Sequence, residues 1–452
     1  MLASASFGKT LQELIVKKGI VVLLVLLAVV VLVSPAIVGR LAEQSMDDNL
    51  NWAASEGGDV KVTSEHFTRG WFSSEGRHRV ELKEGDLLTA LQAITGPMPA
   101  EDLPVLIINT RLDHGLIPVT SMGRDKGSLA PGLGSAVSTL QVELPDGELL
   151  DVPGTIYSTV ALGGQLRSNY VLETGSRSED GVSASWGNVN INVTTDASSG
   201  IVEYDGALAS LSFESGQESM SLDALSFDGR SVPTRFGVPV GDIDFALEGL
   251  SLDRGTGNAT RANRLAVSGS TSLDGDRFDS QVRTSAAMDV PQVGAVAVEM
   301  DLSLDGLDGA SSGALQAKIK EMNAAADPMI AYSALEPDAK RLFAAGFDFD
   351  IARFELTMPQ GTMTSVMRFS FNEADPATFD WSSLLLTTEA SVDLSLPVNM
   401  VEAIATDNPQ AALLIGGGYL VKRGDFYVAE ARMKQGLLTV NGAPIPIPIG
   451  AM

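Results

Sequence analysis

Hydrophobic positions follow three patterns along this chain, and each predicts a different kind of element. The first is continuous. From Ile20 to Val38 the sequence reads IVVLLVLLAVVVLVSPAIV, nineteen residues without a charge. A helix of that length rises about 28 Å, close to the ~30 Å hydrocarbon core of a bilayer, and it satisfies its own backbone N–H groups in lipid. The stretch is therefore expected to be a transmembrane helix over residues 20–38. Pro35 falls near its outer end, where water can satisfy a carbonyl freed by a kink. A cleaved signal peptide ending at Ser34-Pro35-Ala36 is the rival reading. The apolar run continues past that point and its leading segment is long, so the uncleaved span is preferred.

The second pattern has a period of two. Val296, Val298, Met300, Leu302 and Leu304 alternate with Ala297, Glu299, Asp301, Ser303 and Asp305. Successive strand residues face opposite ways, so one face of this strand is apolar and the other acidic and wet. Shorter runs of the same kind recur from about residue 105 to 310, including Val189, Ile191, Val193 and Ile243, Phe245, Leu247. They predict a long antiparallel meander. The parity changes between Trp186 and Val189, between Leu247 and Leu250, and between Ile351 and Phe354. A one-residue slip would turn the apolar face outward, so each change predicts a bulge or turn, and Gly187 and Gly249 suit two of them. Gly229, Gly275 and Gly306, each after Asp, are expected to mark hairpin turns. Val60 to Leu82 reads as a first hairpin turning near Ser73-Ser74-Glu75-Gly76.

The third pattern is helical. It covers Asp86 to Ile94, Gly313 to Ala325, Ala334 to Ala345, Met400 to Ala405, and Asn408 to Ile415. In the last of these Asn408 is the N-cap, Pro409 the first helical residue, and Gly416-Gly417-Gly418 the stop. A final hairpin leads into PIPIPIG, where Pro444, Pro446 and Pro448 deny N–H groups to one sheet edge. The fold class is thus α+β, dominated by β: a grooved or sandwich-like antiparallel sheet with short helices, mostly C-terminal. Residues 1–19 form a leading segment and 20–38 the span. Residues 39–310 form a β-rich body, and 311–452 an α+β part that continues it.

Charge orients the span. Lys9, Lys17 and Lys18 precede it, whereas Arg40 is soon followed by Glu43, Asp47 and Asp48. Positive residues stay on the cytoplasmic side, so the N-terminus is expected inside and the body outside. The formal net charge of −26 and the lack of a basic patch argue against nucleic acid as a partner. Cysteine is absent, which excludes thiolate metal sites, disulfides, a lipoprotein anchor and cysteine nucleophiles. With 44% apolar residues the body can build a core.

Candidate chemistry is sparse. The only histidines are His66, His78 and His114, with no metal-ligand spacing, no HExxH and no GxSxG elbow. No cofactor motif is present, and the protein is not expected to be an enzyme. His114, in LDHGLIP, reads as a histidine donating to a backbone carbonyl at a strand-to-loop turn. Asp301, Asp305 and Asp308 lack a calcium-loop pattern and read as turn and wet-face residues. Gly70-Trp71-Phe72 places two large aromatics at a strand, either as core or as a partner-facing patch.

HFTRGWFSSEGR (66–77), LDHGLIP (112–118) and GLLTVNG (436–442) together resemble the YdgA-like family, also called domain of unknown function 945. The resemblance runs from the anchor to residue 442. It singles out Gly70, Trp71, Phe72, His114, Gly115, Asn441 and Gly442 as motif positions and supplies no catalytic residue. Leu116 stands where the family element usually carries proline. The resemblance implies a bacterial inner-membrane protein with a cytoplasmic N-terminus and a periplasmic body. Two functional readings follow. In one the body holds lipid or another hydrophobic ligand in a β groove; in the other it is an envelope scaffold or assembly module acting through protein contacts. The partners these readings name are the bilayer itself through Ile20–Val38, a hydrophobic ligand, and envelope proteins.

Overall fold

The structure, a computed structural model, describes residues 60–69, 73–82, 103, 105–114, 132–144, 147–179, 182–196, 198–216, 218–255, 259–291, 293–323, 328–407 and 409–445. The expected span over 20–38, the expected helix at 86–94, Asn408, and motif residues Gly70, Trp71, Phe72 and Gly115 lie outside them. Among the described residues the chain is β-dominated, with twenty-two strands, five helices and antiparallel pairing throughout. No helix among them is long and apolar enough to cross a membrane. The residues fall into two compact units. The first runs to Ser219 and includes Ala224–Val232; the second comprises Met220–Asp223 and the residues from Pro233 onward.

The first unit is a meander of β1 (Val60–Arg69), β2 (Ser73–Leu82), β3 (Val105–His114), β4 (Gly132–Glu143), β5 (Leu149–Ala161) and β6 (Gln165–Leu172). It continues through β7 (Gly175–Glu179), β8 (Val182–Trp186), β9 (Val189–Asp196) and β10 (Val202–Ser215), with part of β11 (Glu218–Val232). Alternation aligns one inner face across the strands, for example Val62, Val80, Leu106 and Val142. Leu106, Ile107, Leu140 and Leu166 are at most 2% exposed. Each such side chain contributes roughly 1.5–3 kcal/mol by leaving water. The first hairpin departs from the sequence reading. Arg69 pairs with Ser74, Thr68 with Glu75 and Phe67 with Gly76, so Ser74, Glu75 and Gly76 are strand residues, with Ser74 and Gly76 on the inner face.

The parity change at Gly187 is real, and it is shared. Trp186 pairs with Leu211 and Val189 with Leu208, while on the other side Trp186 pairs with Gly175 and Val189 with Leu172. Two residues oppose two residues on both sides, so no strand gains a bulge residue; three neighbouring strands switch faces together. Gly187 N–H donates to Ser210 O (2.8 Å) and Ala209 N–H to Asn188 O (3.0 Å). Thr174 N–H and Oγ1–H both donate to Asn188 Oδ1 at 2.9 Å. Trp186 covers Gly175, a Cβ at which would stand 2.7 Å from its ring, and its indole N–H donates to Glu173 O.

The second unit is built on β12 (Val240–Arg254), β13 (Thr260–Asp274), β14 (Arg277–Val290), β15 (Gly294–Asp308), β16 (Phe347–Met358), β17 (Gly361–Phe371) and β18 (Thr388–Pro397). β20 (Phe426–Lys434) pairs with β18, with β19 (Val421–Arg423) and with β21 (Leu437–Val440); β22 (Ala443–Ile445) pairs with β21. The slip from Ile351 to Phe354 is a bulge, since the register shifts there against both β15 and β17. Around Gly249 the register of β12 with β13 is the same on both sides, and the shift lies between β13 and β14 at Asn263. Of the three Asp-Gly pairs only Gly275 marks a hairpin turn. Gly229 lies within β11. Gly306 (φ 79°) is the extra residue of a bulge in β15, and its N–H donates to Asp279 Oδ1. A left-handed glycine serves a bulge as readily as a turn.

The helices are α1 (Gly309–Asn323), α2 (Pro328–Ala345), α3 (Trp381–Thr387), α4 (Val398–Asp407) and α5 (Pro409–Gly416). Asp308 Oδ2 accepts from Ser311 N–H at the start of α1. Buried Asp338 on α2 pairs with Lys318 of α1 and with Arg341. Arg277 Nη1 donates to Gly306, Ala345 and Gly346 carbonyls, tying the β15 bulge to the end of α2. α5 starts at Pro409 and ends as expected, with Gly417 N–H bonding back to Leu413 O and Gly418 at φ 75°.

Candidate functional site

Two of the motif segments meet. Ser73, the first described residue after the Gly70-Trp71-Phe72 element, pairs with Asp113, and His114 pairs with Gly134. Antiparallel pairing of β2 with β3 thus brings Ser73 and Asp113, which belong to the first and second motif segments, to one end of the same strand pair. Asp113 is buried, with Arg111 Nε 3.6 Å from its Oδ1, which accepts no hydrogen bond. Directly across β4, the Oγ of buried Ser135 also lacks a hydrogen-bond partner.

The third motif pair has a structural task in the second unit. Asn441 (φ 49°) and Gly442 (φ 81°) form the two-residue turn between β21 and β22, with both residues at the positive φ that a type I′ turn requires. Asn441 also fills the gap between β19 and β21 along the edge of β20. Its Oδ1 accepts from Glu430 N–H (2.9 Å), its own N–H donates to Glu430 O (2.8 Å), and its Nδ2 donates to the carbonyls of Gly418 and Tyr419.

Of the other histidines, His66 Nε2 is 2.7 Å from Thr68 Oγ1 on an exposed edge. His78 is 1% exposed and neither ring nitrogen has a partner; burial holds its pKa below the ordinary value. Its strand position was legible, because it shares parity with Val80 and Leu82, but its isolation was not. Asp301 lies across from Arg353, Ser303 Oγ–H donates to Asp305, and Asp308 caps α1. Among the described residues no group of three histidine or acidic side chains is placed to hold a metal ion.

The most extensive feature is an apolar sheet face in the second unit. Pairing aligns Val282, Leu302, Ile351, Met367 and Val392 in one row across β14 to β18. Val267, Thr284, Met300, Phe354, Ser365 and Leu394 form the next. Apart from Ser365, all of these are only half-buried. At one end Phe343 of α2 meets Phe347, Phe371 and Trp381 edge-on or tilted, with ring centroids 5.0–5.6 Å apart. At another corner Val401, Leu420 and Tyr427 pack with Leu394, Leu396 and Ile415. Ser365 is buried within the face, and its Oγ has no partner. The opposite face is charged: Arg353 bridges Glu299 (2.5 Å) and Glu355 (2.8 Å), and Arg432 bridges Asp393 (2.6 Å).

These features define a β-dominated protein, a long antiparallel meander with a few short helices. The chain belongs to the DUF945 family, bacterial proteins of unknown function, whose pattern matches residues 16–448. No curated protein and no solved structure matches it.

Proposed function

We propose that this is a single-pass protein of the bacterial inner membrane, anchored by residues 20–38 with its N-terminus cytoplasmic, whose periplasmic body holds lipid or another hydrophobic ligand on a β face. The observation that carries the reading is the row pattern of the second unit. Apolar side chains from five or more adjacent strands, about 4.8 Å apart, remain half-buried, whereas Val62, Val80, Leu106 and Val142 on the inner face of the first unit are buried. A contiguous apolar face of that extent is a site for an apolar partner. Helices cover its corners at Phe343 and Val401 and leave the rows through Met300 and Leu302 half-open. Native mass spectrometry of detergent-extracted protein should find co-purifying lipid. Leu302→Glu and Val392→Glu, placed mid-face, should each reduce it severalfold while the β signature in circular dichroism persists. Lipid-free wild-type protein would end the reading.

An envelope scaffold is the second reading, and exposed apolar residues favour it. Leu413 is 73% exposed on α5, with Leu414 and Tyr419 beside it in sequence. Crosslinking in cells at natural expression should then give discrete adducts from position 413, and monomer alone would remove it.

A further inference from the structure

One element of the second unit carries apolar side chains on both of its sides. α5 and the turn after it read PQAALLIGGGYLV, and the chain bears no charge from Asn408 to Val421. Inward, Ile415 packs against the cluster of Val401, Leu420 and Tyr427, which Leu394 of β18 also joins. Outward, Leu413 and Leu414 are 73% and 47% exposed, and Tyr419, just past the glycine turn, is 41% exposed. A surface helix ordinarily turns polar side chains to water, and a helix that is apolar all round is ordinarily buried. The outer side of α5 therefore calls for a second apolar environment.

Its size and its flanks say which. Three projecting side chains fall far short of the roughly 20–30 residues a side of a stable protein interface. They are enough for a shallow dip into the headgroup and acyl boundary of a bilayer, where binding grows with the apolar area buried. A tyrosine at the rim suits that boundary, with an apolar ring and a polar tip. Lys422 and Arg423 end the uncharged run, but Lys422 lies 3.8 Å from Glu402 and Arg423 bridges Glu430 at 2.5 Å. With these cations matched and a net charge of −26, attraction to anionic lipid does not drive the contact; apolar insertion does. We propose that α5 and Tyr419 insert into the periplasmic leaflet of the inner membrane and seat one end of the apolar sheet face at the lipid from which it is loaded. Leu394 belongs both to the cluster beneath α5 and to the row through Phe354 and Ser365, so the docking element and the face are continuous. The inference rests on the anchored reading: a tether that keeps the chain beside the bilayer makes a weak local contact sufficient.

The test uses the full chain in nanodiscs of phosphatidylcholine with a minor share of phosphatidylglycerol. The sequence has no cysteine, so Leu413→Cys supplies a single thiol for a nitroxide label. Leu27→Cys in the anchor and Glu299→Cys on the charged face serve as references. Collision of the label with oxygen is compared with collision with a water-soluble nickel chelate. Oxygen should exceed chelate severalfold at position 413, as at 27, and the order should reverse at 299. Leu302→Glu should leave the value at 413 unchanged, which separates docking from lipid held on the rows. Chelate access at 413 equal to that at 299, with position 27 in lipid, would overturn the docking and leave the anchor standing; chelate access at 27 as well would overturn both. A label at 413 shielded from both reagents would mean a protein contact and would equally overturn the proposal. Leu414→Cys should give the same result as Leu413→Cys.

Discussion

His78 shows how much one side chain can owe to its depth. Burial disfavours its charged form, so its pKa in the folded protein lies below the ordinary 6.5, whereas the unfolded chain takes up a proton near that value. The stability associated with the neutral ring is therefore complete above pH 6.5 and is lost as pH falls below it. Denaturant unfolding of lipid-stripped protein should show that loss between neutral and mildly acidic pH, and His78→Leu should flatten the curve over the same window. Gly154 makes a separate case. It sits at φ 117°, and a Cβ there would stand 2.7 Å from the hydroxyl of Tyr170, whose O–H donates to Pro153 O and whose pKa burial raises to about 12. Gly154→Ala is expected to cost about 2–4 kcal/mol, combining backbone strain with overpacking, and Tyr170→Phe about 1 kcal/mol; equilibrium urea melts compare the two.

At the scale of elements, the closing hairpin depends on Asn441. Asn441→Ala should remove a residue that tolerates left-handed backbone and three side-chain hydrogen bonds at once, costing about 2–4 kcal/mol, whereas Asn441→Gly keeps the turn and should cost about half of that. Thermal melts of both variants check the ordering. Strands were legible in the sequence wherever apolar residues alternate, as at Val296 to Leu304, and the bulge after Ile351 followed from broken parity alone. Turns were less legible, for a physical reason. Ser73-Ser74-Glu75-Gly76 has the composition of a turn, yet small hydroxyl residues and glycine equally suit a strand paired on both sides. Gly306 was misread in the same way, because positive φ is common to bulges and turns. The approach of Ser73 to Asp113, and the lone imidazole five residue pairs away, arise from pairing between segments far apart in the chain, which local patterns do not encode.

At the scale of the molecule, the placement of charge and grease predicts topology. Alkaline phosphatase fused after Met452 should be active and green fluorescent protein at the same point dark, with the opposite outcome for fusions to the N-terminus. The reverse pattern would place the body in the cytoplasm and remove the envelope setting from every functional reading above. The shared switch of faces at Gly187-Asn188 has its own consequence for how this family can vary. Because β6–β7, β8–β9 and β10 change phase in concert, deleting one codon from any of them would leave its neighbours out of step along the rest of their length. Natural length variation should therefore gather at the hairpin tips and be missing from this seam, where only matched changes in three separate stretches of the gene would preserve the sheet.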